Sequence, residues 1–172
     1  NGVEVFTSGI TYDATLLTTI VDPNSYSTSA NDNFGIGTAC NSTHYAISAL
    51  YEGVELHGTV YVYEISTGNL IHTIQNPNIY DNAAIQDRFG EQLAMNDTYL
   101  ITSAHQEDSI NADSQGVVYV YNISTGALVH TIQNPNNYGT YDDWFGYRVA
   151  INDTHCMASS YLENNVDGTG SG

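Results

Sequence analysis

The side chains best suited to chemistry in this sequence are oxygen ligands, because acidic groups greatly outnumber basic ones. The chain has 172 residues, of which 19 are Asp or Glu and two are Lys or Arg, and its formal net charge is −17. The segment Glu107, Asp108, Asn111 and Asp113 offers several oxygen atoms within a short stretch. Since calcium takes about six to eight oxygen ligands, we expect this loop to be the best calcium candidate.

Other acidic residues recur around a repeated Phe-Gly pair. Asp32, Asp87 and Asp143 each precede the phenylalanine by two residues, and each of three glutamates follows it at a constant distance: Glu52, Glu107 and Glu163. One interpretation is a cation site between loops. The other, which we favour, is that Asp caps a turn and Glu lies solvated on a rim.

Four asparagines begin an Asn-x-Ser/Thr pattern, namely Asn41, Asn96, Asn122 and Asn152. This is the acceptor pattern for N-linked glycosylation on exposed turns, so we predict glycans at one or more of these positions. The alternative is that Asn and Asp serve only as turn residues, which a repeat copies together with its strands. If the first, second and fourth are occupied, their glycans line one rim.

The sequence shows no pattern for catalysis. It has no Gly-x-Ser-x-Gly motif, no phosphate-binding loop and no CxxC pair, and we predict that the protein is not an enzyme. Its two cysteines, Cys40 and Cys156, could be bonded only across separate repeat units or separate subunits. We favour the alternative that they are two small buried hydrophobic residues.

The charge restricts the class of partner. Arg88 and Arg148 are the only Lys or Arg residues, which argues against nucleic acid and anionic membranes as partners. No apolar run approaches the roughly 20 residues of a membrane-spanning helix. The chain begins at Asn1 without Met or a signal peptide, so we interpret it as a processed or partial product of a secreted or surface-exposed protein.

Two long segments of the chain are nearly identical. Residues 61–78 read YVYEISTGNLIHTIQNPN and residues 119–136 read YVYNISTGALVHTIQNPN. The Phe-Gly pair recurs three times, at residues 34–35, 89–90 and 145–146. Such periodicity is typical of solenoids, propellers and arrays.

Each repeat predicts four short strands, here called a, b, c and d. In the best-defined repeat, strand a lies in residues 91–95, b in 99–104, c in 116–121 and d in 127–132, and Asn134-Pro135-Asn136 ends the sheet. Strand c alternates Val and Tyr, so both of its faces are apolar. A sheet stacked between two other sheets has this property.

The two ends of the chain carry incomplete repeats. Val3, Glu4, Val5 and Phe6 are similar to strand c, and the segment from Met157 to Tyr161 is similar to strand b. We therefore predict one domain over residues 1–172, with half a blade (c-d) in 1–24, full blades in 25–78 and 79–136, and half a blade (a-b) in 137–172. The predicted fold is an all-β, propeller-like array of about three four-stranded antiparallel blades, one of them split between the termini.

These features together resemble FG-GAP repeats: Asp-x-Phe-Gly, an apolar strand, a turn, a second strand, and Gly-x-Val-Tyr-Val-Tyr. The resemblance implies blades of β-propellers on extracellular receptors, adhesins, or surface and virion proteins. It departs from calcium-binding members, which carry an Asp-rich loop between the first two strands. Here the same place holds only a short turn such as Asn96-Asp97-Thr98, so that calcium site is not carried over.

Three blades are too few for an ordinary propeller, which has about four to eight. The chain could be a fragment of a longer propeller, could join its own ends, or could complete its split blade with another copy through Val3, Glu4, Val5, Phe6, Met157 and Tyr161. We favour the third arrangement, which predicts a head-to-tail structural subunit of a filament or surface layer. The alternative is an adhesion module that binds glycans or host-surface proteins. Apart from calcium and N-linked glycans, no cofactor is indicated.

Overall fold

The computed structural model describes residues 2–8, 14–23, 32–52, 57–77, 87–108, 114–136 and 142–163. Across these ranges the protein is all-β, with twelve strands in four antiparallel sheets and no helix. Within the same ranges, then, no helix is available to cross a membrane. The predicted all-β, propeller-like fold is confirmed.

The strands follow the chain in the order of the sheets. The N-terminal half-blade contains β1 (Gly2–Ser8) and β2 (Ala14–Val21), and the C-terminal half-blade contains β11 (Phe145–Ile151) and β12 (Cys156–Ser160). The first full blade contains β3 (Phe34–Cys40), β4 (His44–Ala49), β5 (Thr59–Glu64) and β6 (Leu70–Gln75). The second full blade contains β7 (Leu93–Met95), β8 (Tyr99–Ala104), β9 (Val117–Asn122) and β10 (Leu128–Gln133).

The two central strands of each full blade form the core. All but the last residue of β5 and of β9 are buried, because alternate Val and Tyr side chains pack against the neighbouring sheets on both faces. The cluster around Val60, Phe89 and Tyr119 joins the two full blades. The predicted burial of strand c on both faces is therefore confirmed.

The Phe-Gly pair allows one blade to approach the next. The glycine has φ near +90° in all three repeats, a conformation that only glycine adopts without strain. A Cβ on Gly90 would lie 2.8 Å from Ser48 Cβ and 3.1 Å from Val60 Cγ2, both in the preceding blade. Gly35 stands in the same relation to Val3, at 2.9 Å from its Cγ2. The glycine thus serves close packing between sheets.

The half-blades lie at opposite ends of the array. Val3, Val5 and Ile20 of the N-terminal half-blade pack against the first full blade, whereas Val149 and Ala158 of the C-terminal half-blade pack against the second. Among the described strands, β1 pairs only with β2 and β12 pairs only with β11. The described array is therefore open, and its two half-blades are not paired with each other.

Replacement of Gly90 by Ala tests the close packing of blades. We expect Gly90→Ala to lower the free energy of unfolding by ~3 kcal/mol, because the methyl group meets the preceding blade and the positive φ is strained. Gly68 is the matched control, since it also has positive φ (+71°) but no atom within 4 Å of an added Cβ. Gly68→Ala should cost only about 1 kcal/mol. Equal losses for both variants, measured by chemical denaturation, would contradict this account.

Candidate functional site: the open half-blades and their acidic residues

The C-terminal half-blade exposes positions that a full blade buries. Ile101 pairs with Ala94, and Met157 pairs with Ala150, so that Met157 occupies the position of Ile101. Ile101 is 0% exposed but Met157 is 69% exposed. Ile101 packs with Val118 and Val120 of β9 and with Phe145 of the following sheet. Among the described residues, β12 has neither a central strand beside it nor a further sheet on the face of Met157.

The N-terminal half-blade presents the complementary strand. Val3 pairs with Ile20 as Val118 pairs with Ile132, and a bulge follows in the same place. Val3, Glu4 and Val5 therefore occupy the positions of Val118, Tyr119 and Val120. The latter three are buried, but Glu4 is exposed and the two valines are half-buried. Phe6 belongs to β1, but its side chain is outside the described part of the structure.

Aromatic side chains cluster where β11 begins and β12 ends. Tyr161 stacks on Tyr147 at 4.7 Å and on Trp144 at 6.1 Å between ring centroids. His105 of the preceding blade contacts Trp144 and Tyr147 edge-on, and burial is the main cause that lowers the His105 pKa. Arg148 lies over the Tyr147 ring at 4.4 Å. Tyr161 remains 54% exposed, so this stack ends in an open aromatic surface.

The predicted glycosylation residues of the a-b turns form a ladder between blades. The side-chain amide of Asn41 donates to the backbone oxygen of Asn96 at 2.8 Å, and that of Asn96 donates to the oxygen of Asn152 at 2.9 Å. Each side-chain oxygen accepts backbone N–H groups of its own turn. These asparagines therefore shape the turns and link successive blades. Their glycosylation stays a prediction.

Asn122 occupies a different turn, between β9 and β10. Its side-chain oxygen accepts the backbone N–H of Thr125 at 3.1 Å and the hydroxyl of Ser124 at 2.7 Å. The Asn-x-Ser pattern thus again coincides with good turn chemistry. The ladder lies at the turns between the first and second strands of each blade, so Asn122 does not belong to it.

The recurring glutamates are buried in the full blades, and the interpretation of a solvated rim is wrong for them. Glu52 is 2% exposed and Glu107 is 3% exposed. The hydroxyl of Tyr61 donates to Glu52 Oε1, and that of Tyr119 donates to Glu107 Oε1, each at 2.5 Å. Burial raises the pKa of Glu107 to about 8, although the hydrogen bond from Tyr119 acts in the opposite direction.

The predicted calcium loop is only partly described. Asp108 accepts the backbone N–H of Ser114 at 2.9 Å, which is a turn-forming role, and Glu107 is engaged by Tyr119. Asn111 and Asp113 lie outside the described residues. The calcium assignment for this loop therefore stays a prediction.

The recurring aspartates lie beside the sheet-ending Asn-Pro segments. Asn76 donates its amide to Asp87 at 2.7 Å, and Asn134 donates to Asp143 at 2.9 Å. In the first repeat Asp22 stands where the others have Asn. There, within the described residues, three carboxylates that could hold a metal ion have oxygens within 4.8 Å of one another: Asp22, Asp32 and Glu52. Sequence comparison of the three repeats could have found this exchange of Asn for Asp.

The cysteines contradict the interpretation as small buried residues. Cys40 and Cys156 are both free and exposed. Cys40 ends β3, which lies at the edge of its sheet. Cys156 begins β12, which pairs only with β11 among the described strands. Their exposure follows from these edge positions.

The comparisons with known proteins agree with this geometry. Residues 80–121 match the family model of the FG-GAP repeat. The chain carries an FG-GAP repeat. The matched segment extends to β9 and includes Phe89-Gly90, so the FG-GAP assignment made from the repeated motifs is confirmed. FG-GAP repeats are typical of extracellular or surface proteins and are typically non-enzymatic. No curated protein matches the chain.

The buried glutamate of the second FG-GAP blade should make stability depend on pH. Because burial raises the folded-state pKa of Glu107 to about 8 from an ordinary 4.5, its contribution is fully present at acidic pH and is lost as the pH rises towards 8. Glu107→Gln should remove this dependence, which amounts to at most about 1.4 kcal/mol per pH unit. The exposed Asp153→Asn serves as a control of equal charge change.

The measurement is the free energy of unfolding of the full chain from pH 4 to 9 for all three proteins. If the Glu107→Gln profile ran parallel to that of the unmodified protein, this carboxyl group would not be the source of the pH dependence.

Proposed function

We propose that this chain is a non-enzymatic extracellular structural subunit that assembles head to tail. The N-terminal half-blade of one copy completes the C-terminal half-blade of the next, and repetition of this step gives a filament or surface layer. The observation that carries the proposal is the contrast in burial between Ile101 and Met157, equivalent residues of a full blade and a half-blade. The chain supplies the missing strands itself, as β1 and β2.

The pairing of the two half-blades follows from that of β8 with β9. In the second full blade Ile101 faces Val120 and Thr102 faces Tyr119. Transfer of this register places Met157 of one copy opposite Val5 of the next, and Ala158 opposite Glu4. Open backbone edges of β12 and β1 would thereby be paired, which removes the cost and the aggregation hazard of exposed edges.

Stacking between blades continues across the same junction. Asn152 would donate its side-chain amide to the backbone oxygen of Asn41 in the next copy, as Asn96 donates to Asn152. Tyr161 occupies the position of His105, and Ile36 that of Tyr147, so these two side chains would meet. They are 54% and 50% exposed in the single chain. Burial of such apolar area favours association by ~25 cal/mol per Å².

Head-to-tail contacts of this kind repeat from one copy to the next. The two half-blades lie at opposite ends of the array and offer different surfaces, which makes the contact heterologous, and a heterologous contact yields a ring or an open filament. The high negative charge suits a soluble extracellular polymer. Glycans on Asn41, Asn96 and Asn152 would follow one rim of such a polymer.

A second candidate function is ligand binding by a monomeric adhesion module. The observation in its favour is the stack of Trp144, Tyr147 and Tyr161, which ends in the exposed ring of Tyr161, because an exposed aromatic ring suits sugars and protein partners. Saturable binding of sugars by a protein that stays monomeric would favour this function over assembly.

Replacement of Met157 by Asp tests trans-completion. Met157 is largely exposed in the single chain, so Met157→Asp should leave the fold intact, but it would place a carboxylate in the apolar contact with Val5 and Phe34 of the next copy. We expect at least a hundredfold weaker assembly, measured by sedimentation velocity and electron microscopy. Leu128→Asp is the matched control, because Leu128 is 43% exposed on an outer strand of a full blade. Unimpaired assembly of Met157→Asp would contradict the proposal, as would equal impairment of Leu128→Asp.

Intact mass of protein purified from its native source tests the glycan rim. We expect mass beyond that of the sequence, in steps the size of sugars, that enzymatic removal of N-linked glycans abolishes. Substitution of Gln at Asn41, Asn96, Asn122 and Asn152 in turn identifies the occupied positions. A native mass equal to that of the sequence would show that these asparagines serve the turns alone.

A further inference from the structure

One position of the central strand differs between the full blades and the half-blade. Tyr61 of β5 pairs with Thr73 of β6, and Tyr119 of β9 pairs with Thr131 of β10. Glu4 of β1 pairs with Thr19 of β2 in the same way. The three residues are therefore equivalent. In both full blades this residue donates a hydroxyl hydrogen bond to the buried glutamate of its own blade, Glu52 or Glu107. In the N-terminal half-blade a carboxyl group stands in place of the hydroxyl donor.

Glu163 is the third of the recurring glutamates, after Glu52 and Glu107. It comes close to Glu4 only when two copies assemble. Glu163 ends the C-terminal half-blade and corresponds to Glu107. In a trans-completed blade the residue that approaches it is Glu4 of the next copy. We infer that assembly takes up one proton, which is held between the carboxyl groups of Glu163 and Glu4 of the two copies, so that acid strengthens the junction. This inference rests on the proposed function.

The surroundings of the pair supply acid and amide groups. Asp143 is 0% exposed and lies at the start of β11, and Asn134 at the end of β10 donates to it at 2.9 Å. Gln115, which precedes β9, is also buried there. Gln115 occupies the position of His57, which pairs with Asp87 of the second full blade at 3.1 Å. The junction thus has an amide where Asp87 has a histidine beside it.

Both arginines are engaged in other contacts. Arg88 pairs with Glu91 at 3.0 Å, and Arg148 donates to the backbone oxygen of Tyr147 while its guanidinium lies over that ring. Within the incoming strand, Glu4 is flanked by Val3 and Val5. Two adjacent carboxylates in a closed blade would repel each other, and a shared proton removes one of the two charges.

The full blade indicates how strongly this environment favours a proton. Burial raises the pKa of Glu107 to about 8 even though Tyr119 donates to it. At the junction the donor is absent and a second carboxyl group takes its place, and both changes favour protonation further. The proton comes from solvent, and one O–H···O hydrogen bond forms between the two copies. Because the assembled state holds more protons than the free chains, assembly weakens as the pH rises.

The test compares the unmodified protein with Glu4→Gln and Glu4→Tyr. The critical concentration for polymer formation is measured from pH 5 to 9, with a chelator present so that divalent cations do not contribute. We expect the critical concentration of the unmodified protein to rise by up to about tenfold per pH unit over part of this range. In both variants the dependence should end near pH 8, because Glu163 then titrates alone, as Glu107 does beside Tyr119, whereas that of the unmodified protein should continue to pH 9. Glu4→Tyr, which restores the hydroxyl donor, should assemble at least tenfold more readily than the unmodified protein at pH 9.

Glu64→Gln is the matched control, because it makes the same change of charge at the end of β5 and should keep the dependence of the unmodified protein. The inference is overturned if the unmodified protein assembles equally well at all pH values, or if Glu4→Gln shows the same pH profile as the unmodified protein. It is also overturned if the chelator abolishes assembly at every pH and calcium restores it. Absence of polymer from every protein, with or without calcium, would instead refute the proposed function.

Discussion

The burial of one strand per blade on both of its faces and along both of its edges is the constraint on which the rest of this structure depends. Strands β5 and β9 meet it because each has two neighbours in its own sheet and a further sheet on each side. Strand β1 occupies the same place in its half-blade, with Glu4 in the position of a tyrosine, but has only one neighbour among the described strands. The unpaired edge of β1 and the exposed edge of β12 therefore lack the same strand pairing, at the two ends of one array.

Contacts between successive blades are nearly identical from one repeat to the next. The glycine of each Phe-Gly pair meets a valine of the preceding central strand, and Asn41 and Asn96 each donate to the turn of the next blade. An array held by such nearest-neighbour contacts grows as a one-dimensional stack. The contact that a new copy would make is then the contact that each blade already makes within the chain, which is why trans-completion needs no new kind of interface.

Much of the fold could be predicted from the sequence because its strongest signals are local. The alternation of Val and Tyr predicted strand c, and the Phe-Gly pair predicted the start of each repeat. Strand β7 is nevertheless shorter than the predicted strand a. The burial of Glu52 and Glu107 could not be predicted, because a glutamate is ordinarily exposed and its tyrosine partner comes from a different strand. The equivalence of Glu4 and Tyr119 was visible in the sequence as Val-Glu-Val beside Val-Tyr-Val, but its consequence depends on that hydrogen bond. The exposure of Cys40 and Cys156 depends on which strands lie at edges, and pairing of strands sets this rather than composition.

The most direct test of the central claim is the structure of the assembled native material by electron cryomicroscopy, at a resolution that traces each strand. The account predicts a four-stranded junction blade in which β12 of one copy pairs antiparallel with β1 of the next, with Ala158 opposite Glu4. A polymer in which β12 remains unpaired, or a closed monomer in which β12 pairs with its own β1, would contradict it.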